Sequence, residues 1–325
     1  MKLRAKEFTG LVVVTVLGAI ALIFAPLAAA QAPPQGAPTA GRGPAQNSII
    51  PENSVIKVSD HVYAIVAFPN VGFVVGDRSI LVVDTGLGPR NGATVAKEAA
   101  KLGPNHTLYL TTTHFHPEHA SGDSGFPSNA ILVRPGIQQK ELEDDKDAMV
   151  GRFSGMSAQN KELLQDVKFR KPDILFDKEI TLDLGGVTAR IFWMGAAHTL
   201  GDEMIFVEPD KTLIPGDIVQ NKMLPNLPGP NARLNGWISI LGQLRSLGAL
   251  HVVPDHGSLG DGSLVGQEYA FLSDLQSRAL ELKRQGKSAD EAGQTVLAEF
   301  KAKYAEWPNL NAIPALVAHV YSENP

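Results

Sequence analysis

Thr111-Thr112-Thr113-His114-Phe115-His116-Pro117-Glu118-His119 follows directly on the apolar run Leu108–Leu110. Three imidazoles and a carboxylate within six residues are costly to place together unless a ligand uses them. Neutral imidazole and carboxylate are the donors that zinc and similar borderline cations prefer. Side chains alternate along a strand, so a strand ending here would send His114 and His116 to one side. Glu118 and His119 lie past the Pro117 turn and can face a second point nearby. One short segment can therefore begin two metal sites.

Four more residues stand at the C-terminal tips of apolar runs. Asp84 ends Ile80-Leu81-Val82-Val83, and His198 follows Ile191-Phe192-Trp193-Met194 after a Gly-Ala-Ala turn. Asp217 ends Leu213-Ile214-Pro215-Gly216, and His256 follows Val252-Val253-Pro254-Asp255. Strand tips of one sheet system share an edge, the usual place for a site in α/β folds. His61, His106 and His319 lack such partners and read as structural, while His251, five residues before His256, is a weaker candidate for an outer contact.

Short apolar strands interleave with helical stretches, which indicates an α/β architecture. Strands are expected at Val55–Val58, His61–Ala67, Val71–Val75, Ile80–Val83, Thr107–Thr112, Ile180–Leu184, Val187–Met194, Met204–Val207, Thr212–Ile214 and His251–Pro254. Helices are expected over Gly92–Lys101, within 137–166, over Trp237–Leu247, and through the tail from Val265. There Leu272, Leu275, Ala279 and Leu282 form one apolar face, and Ser288 to Glu291 reads as a capping box. These helices read as cover for a sheet.

The ordered set VVDTG, HFHPEH, GAAHTLGD, IPGD and PDHG, spanning about residues 54–260, resembles the metallo-β-lactamase superfamily. The resemblance implies a four-layer αββα sandwich with metals at one edge, and a C-terminal helical extension follows it here. It implies that His114, His116 and His198 hold one metal. It assigns Glu118, His119 and His256 to a second, with Asp217 bridging and Asp84 steadying a ligand imidazole. The family commonly has Asp where this chain has Glu118, whose side chain reaches roughly 1.5 Å further, so Glu118 either ligates or lies just outside the ligands and leaves the second site weaker. Gly86 and Gly122 fit tight turns beside the site.

Such a pair of ions, zinc first and iron or manganese next, implies a bridging hydroxide attacking a carbonyl, sulfuryl or phosphoryl centre. Asp217 and Glu118 would take the proton, so no Ser, Cys or Lys nucleophile is needed. The bridging acid favours ester, lactone or amide-type hydrolysis over β-lactam turnover, which stays a weak side activity. An iron-dependent sulfur (persulfide) dioxygenase of the same fold and a non-catalytic zinc-binding protein are the alternatives. The expected partner is a small molecule, its pocket walled by Phe68-Pro69-Asn70 and the Asn221–Asn235 loop. Lys222 and Arg233 in that loop read as solvated surface, with anion binding the alternative.

The formal charge of −5 and the lack of a basic block give no reason to expect nucleic acid. The chain contains no cysteine, which excludes disulfides, thiolate ligands and thiolate nucleophiles. Lys2, Arg4 and Lys6 precede the apolar run Leu11–Phe24, Pro26 and Ala28-Ala29-Ala30. That order reads as a signal peptide over 1–30, cleaved near Ala30, which implies a periplasmic or secreted protein that meets a membrane only before cleavage, with an uncleaved membrane anchor as the alternative. Residues 31–53 read as a Pro/Gly/Ala-rich flexible linker, 54–264 as the metallohydrolase domain, and 265–325 as the helical extension.

Overall fold

Ile80 and Val82 pack with Phe73, Val95, Ala99 and Leu110, whereas Leu81 and Val83 pack with Val74, Ala189, Ile191 and Ile205. Successive strand residues point to opposite faces, so a strand covered on both sides reads as one continuous apolar run. The computed structural model describes residues 47–227, 229 and 231–324 and shows this double burial throughout its central strands.

The first sheet runs β1 (Val55–Lys57), β2 (Val62–Ile65), β3 (Val71–Val75), β4 (Ser79–Val83), β5 (Thr107–Thr111), β6 (Ile131–Pro135) and β7 (Ile174–Phe176) in spatial as well as chain order. Strands β1 to β4 pair antiparallel, and β4 to β7 pair parallel. Parallel neighbours need crossovers. These are α1 (Gly88–Leu102), then the short α2 (Pro117–Ala120), then α3 (Gly136–Ser154) with α4 (Ala158–Leu163).

The second sheet contains β8 (Glu179–Asp183), β9 (Thr188–Trp193), β10 (Glu203–Val207), β11 (Thr212–Ile214), β12 (His251–Val252) and β13 (Gly260–Asp261), again in consecutive order. Only β11 and β12 are parallel, and α5 (Leu234–Leu244) connects them. The tail forms α6 (Ser263–Arg284), α7 (Ala289–Lys303) and α8 (Ile313–Glu323). The inner faces of the two sheets share one core; a second joins α1 to the first sheet, and a third joins α5 to α8 to the second sheet. The layers are therefore helix, sheet, sheet, helix, as expected, with the C-terminal helices on the outer side.

Several expectations change in detail. Helix α1 begins at Gly88 rather than Gly92, because Pro89 fits a first helical turn, where its missing N–H costs nothing. Strands β6 and β7 were not expected; β7 has only three residues, and β6 follows its buried Leu132 and Val133 with a buried Arg134. The flexible linker expected to run to residue 53 is packed at its end. Ser48 and Ile50 are buried, and the Asn91 side chain bonds to the Ser48 carbonyl and the Ile50 N–H. Residues 1–46, which include the expected signal peptide and most of that linker, lie outside the described residues. Among the described residues no helix is long and apolar enough to cross a membrane. The expected boundary at 264/265 is not a break in packing, since α5 shares a core with α6 to α8. The capping box at Ser288 and Glu291 is present.

Helix α1 lies so close to the turn after α2 that a Cβ on Gly92 would run into the Gly122 carbonyl. Gly92→Ala should cost about 1–3 kcal/mol by overpacking. The check is a lower thermal midpoint; an unchanged one would show that the turn yields freely.

Candidate metal centre

Strand β5 stops at Thr111, so His114 and His116 lie beyond it in a loop rather than on alternating strand positions. The loop is pinned instead. The Thr113 N–H donates to Asp84 Oδ1 at 2.8 Å, and its carbonyl accepts from Glu203 N at 2.7 Å. His116 is extended and precedes α2, whose first turn carries Glu118 and His119. The Thr85 N–H and hydroxyl both donate to the His119 carbonyl.

Each remaining ligand candidate also occupies a loop at the same edge. His198 lies between β9 and β10, where Asp202 accepts from Ala197 N, Thr199 N and the Thr199 hydroxyl. Glu141 of α3 grips the same loop by accepting from Leu200 N and Gly201 N at 3.0–3.1 Å. Asp217 lies in a single 3-10 turn after β11. His256 follows β12, and Asn70 secures that loop: its amide donates to the Pro254 and Gly257 carbonyls, and its N–H to the Asp255 carbonyl.

The loops bring seven buried side chains together. His114, His116 and His198 place ligand nitrogens within one cluster, with His114 Nε2 2.9 Å and His198 Nε2 3.2 Å from His116 Nδ1. Glu118, His119 and His256 form a second cluster, and Glu118 Oε1 lies 3.9 Å from His119 Nε2. Asp217 stands between them, Oδ2 3.2 Å from His198 Nε2 and Oδ1 3.3 Å from His256 Nε2. The longer Glu118 side chain thus still reaches the second cluster.

Asp84 Oδ2 approaches His119 Nδ1 at 3.1 Å. Asp84 is left-handed (φ 68°), which ends β4 and turns its carboxylate back over the Thr113 N–H. A residue not singled out from the sequence joins it. Asp255 Oδ2 lies 3.3 Å from the same His119 nitrogen and accepts the Thr113 hydroxyl at 2.6 Å. Its signal was its place next to His256 at a strand tip. Asn70 was read as pocket wall rather than as the anchor of the His256 loop, and Glu141 was missed, because both act on backbone groups distant in sequence.

Burial, and then the neighbouring imidazoles of His119, His116, His198 and His256, push the His114 pKa well below its ordinary value. His114 is thus held neutral, with a lone pair to offer. Burial would also lower His119, but Asp84, then Asp255 and Glu118, outweigh it and raise the group to about 10. Its Nε2 is buried without a hydrogen-bond partner. A buried unsatisfied nitrogen costs free energy, and a cation facing it would satisfy it and replace the proton. Burial and the Asp84 charge push Asp255 well above the usual carboxylate range. The donor set, nitrogen and carboxylate oxygen without sulfur, fits zinc, iron or manganese.

The other histidines are paired away from this basin. His61 Nδ1 meets Asp210 at 2.7 Å, His106 Nε2 the Gly76 carbonyl, and His319 Nε2 Glu323. His251 starts β12 and lines a surface cavity with Lys57, Ser59 and Asp210, so it has no outer contact to the site. In the expected wall, the Phe68 ring stacks on His256 at 4.7 Å. The Asn226 carbonyl of the 221–235 loop meets His198 Nδ1 at 2.7 Å. The Arg233 backbone N–H donates to the Ala197 carbonyl at 2.6 Å.

Two ligand clusters at the edge of a two-sheet sandwich define a metal-binding αββα protein. The chain belongs to the metallo-β-lactamase superfamily, whose family model matches residues 64–256. Members of that superfamily, among them β-lactamases and an alkylsulfatase, are metal-dependent hydrolases. A linear primary-alkylsulfatase of Pseudomonas sp. strain ATCC 19151 is 26% identical over 211 residues, which cover 55% of this chain and 40% of the relative. The chain thus spans well under half the length of that protein. Among solved structures, a metallo-β-lactamase from Pontibacter korlensis matches 68% of this chain and 98% of its own, at a TM-score of 0.56 and 19% identity. The stereoselective inverting sec-alkylsulfatase from Pseudomonas sp. matches 76% of this chain and 45% of its own, at a TM-score of 0.60 and 15% identity. At these identities both show the fold alone.

Glu141 gives a pH test of the grip on the His198 loop. Burial lifts its pKa from 4.5 to about 7, against the Leu200 N–H bonds and with the help of Asp202. The folded chain therefore keeps a proton that the unfolded chain has lost. The Glu141 contribution to stability should be fully present below pH 4.5 and should be lost as pH rises through about 7. Asp202, raised to about 6 chiefly by burial, adds the same sign. Urea midpoints of metal-free protein across that range should show the decline, and Glu141→Gln should flatten it. An equally steep decline in the variant would exclude Glu141 as its source.

Proposed function

We propose that the chain is an exported zinc-dependent hydrolase of an ester, lactone or amide-type bond, with a sulfate ester of an apolar alcohol as the first substrate to try. The observation that carries this reading is the pair of ligand clusters on either side of Asp217. His114, His116 and His198 would hold one ion, Glu118, His119 and His256 another, and Asp217 would touch both. When bound, such ions polarise a substrate oxygen and lower the pKa of bound water towards about 7.

The chain's own groups supply the rest. Asp84 and Asp255, both at His119 Nδ1, turn Nε2 into the basin and fix the ring. The Asn226 carbonyl does the same for His198. Asp217 and the Glu118 carboxylate are placed to accept the proton released as water attacks. Phe68 on His256 and the exposed Val66 two residues before it offer an apolar surface for a substrate tail. The sequence likeness to a linear primary-alkylsulfatase supports a sulfate ester with an alkyl group. The signal-like N-terminus supports export and a periplasmic or secreted location.

Purified protein should carry close to two transition metal ions by elemental analysis, zinc before iron or manganese. It should hydrolyse at least one member of a panel of alkyl sulfates, aryl esters, lactones and a β-lactam. His116→Ala and Asp217→Asn should each lose more than about 100-fold in kcat/KM while keeping the far-UV circular dichroism of the parent. Less than one ion per chain, or full activity in either variant, would sink the proposal. Oxygen uptake with a persulfide and bound iron would establish the dioxygenase alternative instead. Glu118→Ala should retain one ion and lose the second; retention of both would place Glu118 outside the ligand set.

A further inference from the structure

The N-terminus of α5 has an unusual cap. The first N–H groups of a helix lack partners within it, and Arg233, at the capping position, provides no side-chain bond. The partner comes from the far end of the chain. Glu323, in the last turn of α8, accepts from Leu234 N through Oε1 at 2.6 Å and from Asn235 N through Oε2 at 2.9 Å. A carboxylate is the favoured charge at that end of a helix. His319, one turn earlier on α8, steadies Glu323 Oε1 at 2.8 Å.

The same end of α5 bears on the metal centre. Arg233 N donates to the Ala197 carbonyl at 2.6 Å, next to His198. Gly236 lies against the Ala196 carbonyl so closely that a Cβ there would collide with it. The Trp237 N–H bonds back to the Arg233 carbonyl, and its fully buried ring meets His198 edge-on at 5.8 Å. Its indole Nε1 donates to the Ile218 carbonyl at 2.8 Å, one residue beyond Asp217. One helical turn thus touches the loops of two ligand candidates.

We propose that Glu323 is a positioning residue for the metal centre. By capping α5, it sets where Trp237 bears on His198 and on the Asp217 loop. The C-terminal extension therefore tunes the His198 side of the site as well as covering the second sheet. The inference depends on the metal-binding reading of the basin.

The test is a titration of metal-free full-length chain with zinc against a competing chelator. His116→Ala identifies the affinity step that belongs to the His198 cluster. Glu323→Ala should weaken that step about tenfold, the lower end of the effect of removing outer contacts to a metal ligand, and leave the other step unchanged. Trp237→Phe, which keeps a ring but loses the Ile218 bond, should weaken the same step. Glu299→Gln, which disrupts an exposed pair with Arg278 in the same extension, should match the parent. If Glu323→Ala does not fold, Glu323→Gln decides, and a selective loss at the His198 step again supports the proposal. Parent-like affinity in the folded Glu323 variant, or an equal loss at both steps, overturns it. A parent chain that takes up no zinc overturns the metal reading together with this inference, a result distinct from a two-ion parent with an insensitive variant.

Discussion

The knot formed by Thr113, Asp84, His119 and Asp255 is the interaction on which the rest of the centre depends. It joins the tips of β4 and β5 in one sheet to the end of β12 in the other. Two buried carboxylates at one imidazole would be costly alone; the Thr113 hydroxyl and backbone N–H and the His119 ring make the arrangement tolerable. The sheets are thereby held in one register at the edge where the ligands collect. Without that register, His198, Asp217 and His256, which come from the second sheet, would have no fixed distance to the His114–His119 segment.

The His198 loop is then held from two flanks. On one side Glu141 of α3 takes the Leu200 and Gly201 N–H groups, and on the other the start of α5 takes the Ala197 carbonyl. Within the loop Asp202 ties Ala197 and Thr199 together, and these neighbours fix where the loop sits. Helices that look like simple cover thus also fix a ligand in space. A small change in helix packing there is a change in ligand geometry.

Much of this was legible in the amino-acid sequence, and for a definite reason. Ile80–Val83, Met204–Val207 and Thr212–Ile214 are apolar on both faces because both faces are buried, and residues at the tips of such runs are near one edge. Asp84, His114, His198, Asp217 and His256 could be picked out on that ground. Asn70, Glu141 and Trp237 could not, because each acts through a bond to a backbone carbonyl or N–H, and a sequence does not display which carbonyl will be near. The β5 tip was misjudged for a related cause: His114 and His116 follow a strand that stops at Thr111, so loop bonds rather than pleating aim them.

Asn70 ties the β2–β3 hairpin to the His256 loop through three hydrogen bonds, while Ala67 N returns a fourth to its side chain. The hairpin tip at 66–69 is thus borne on a fixed mount. The exposed Val66 on that tip can drift, one apolar residue for another, while Phe68 stays stacked on His256. In evolutionary terms this separates two traits that are often entangled, since the residues facing a substrate can vary while the anchor that serves the metal stays the same. A lineage carrying this frame could explore new substrates by changing a few exposed positions.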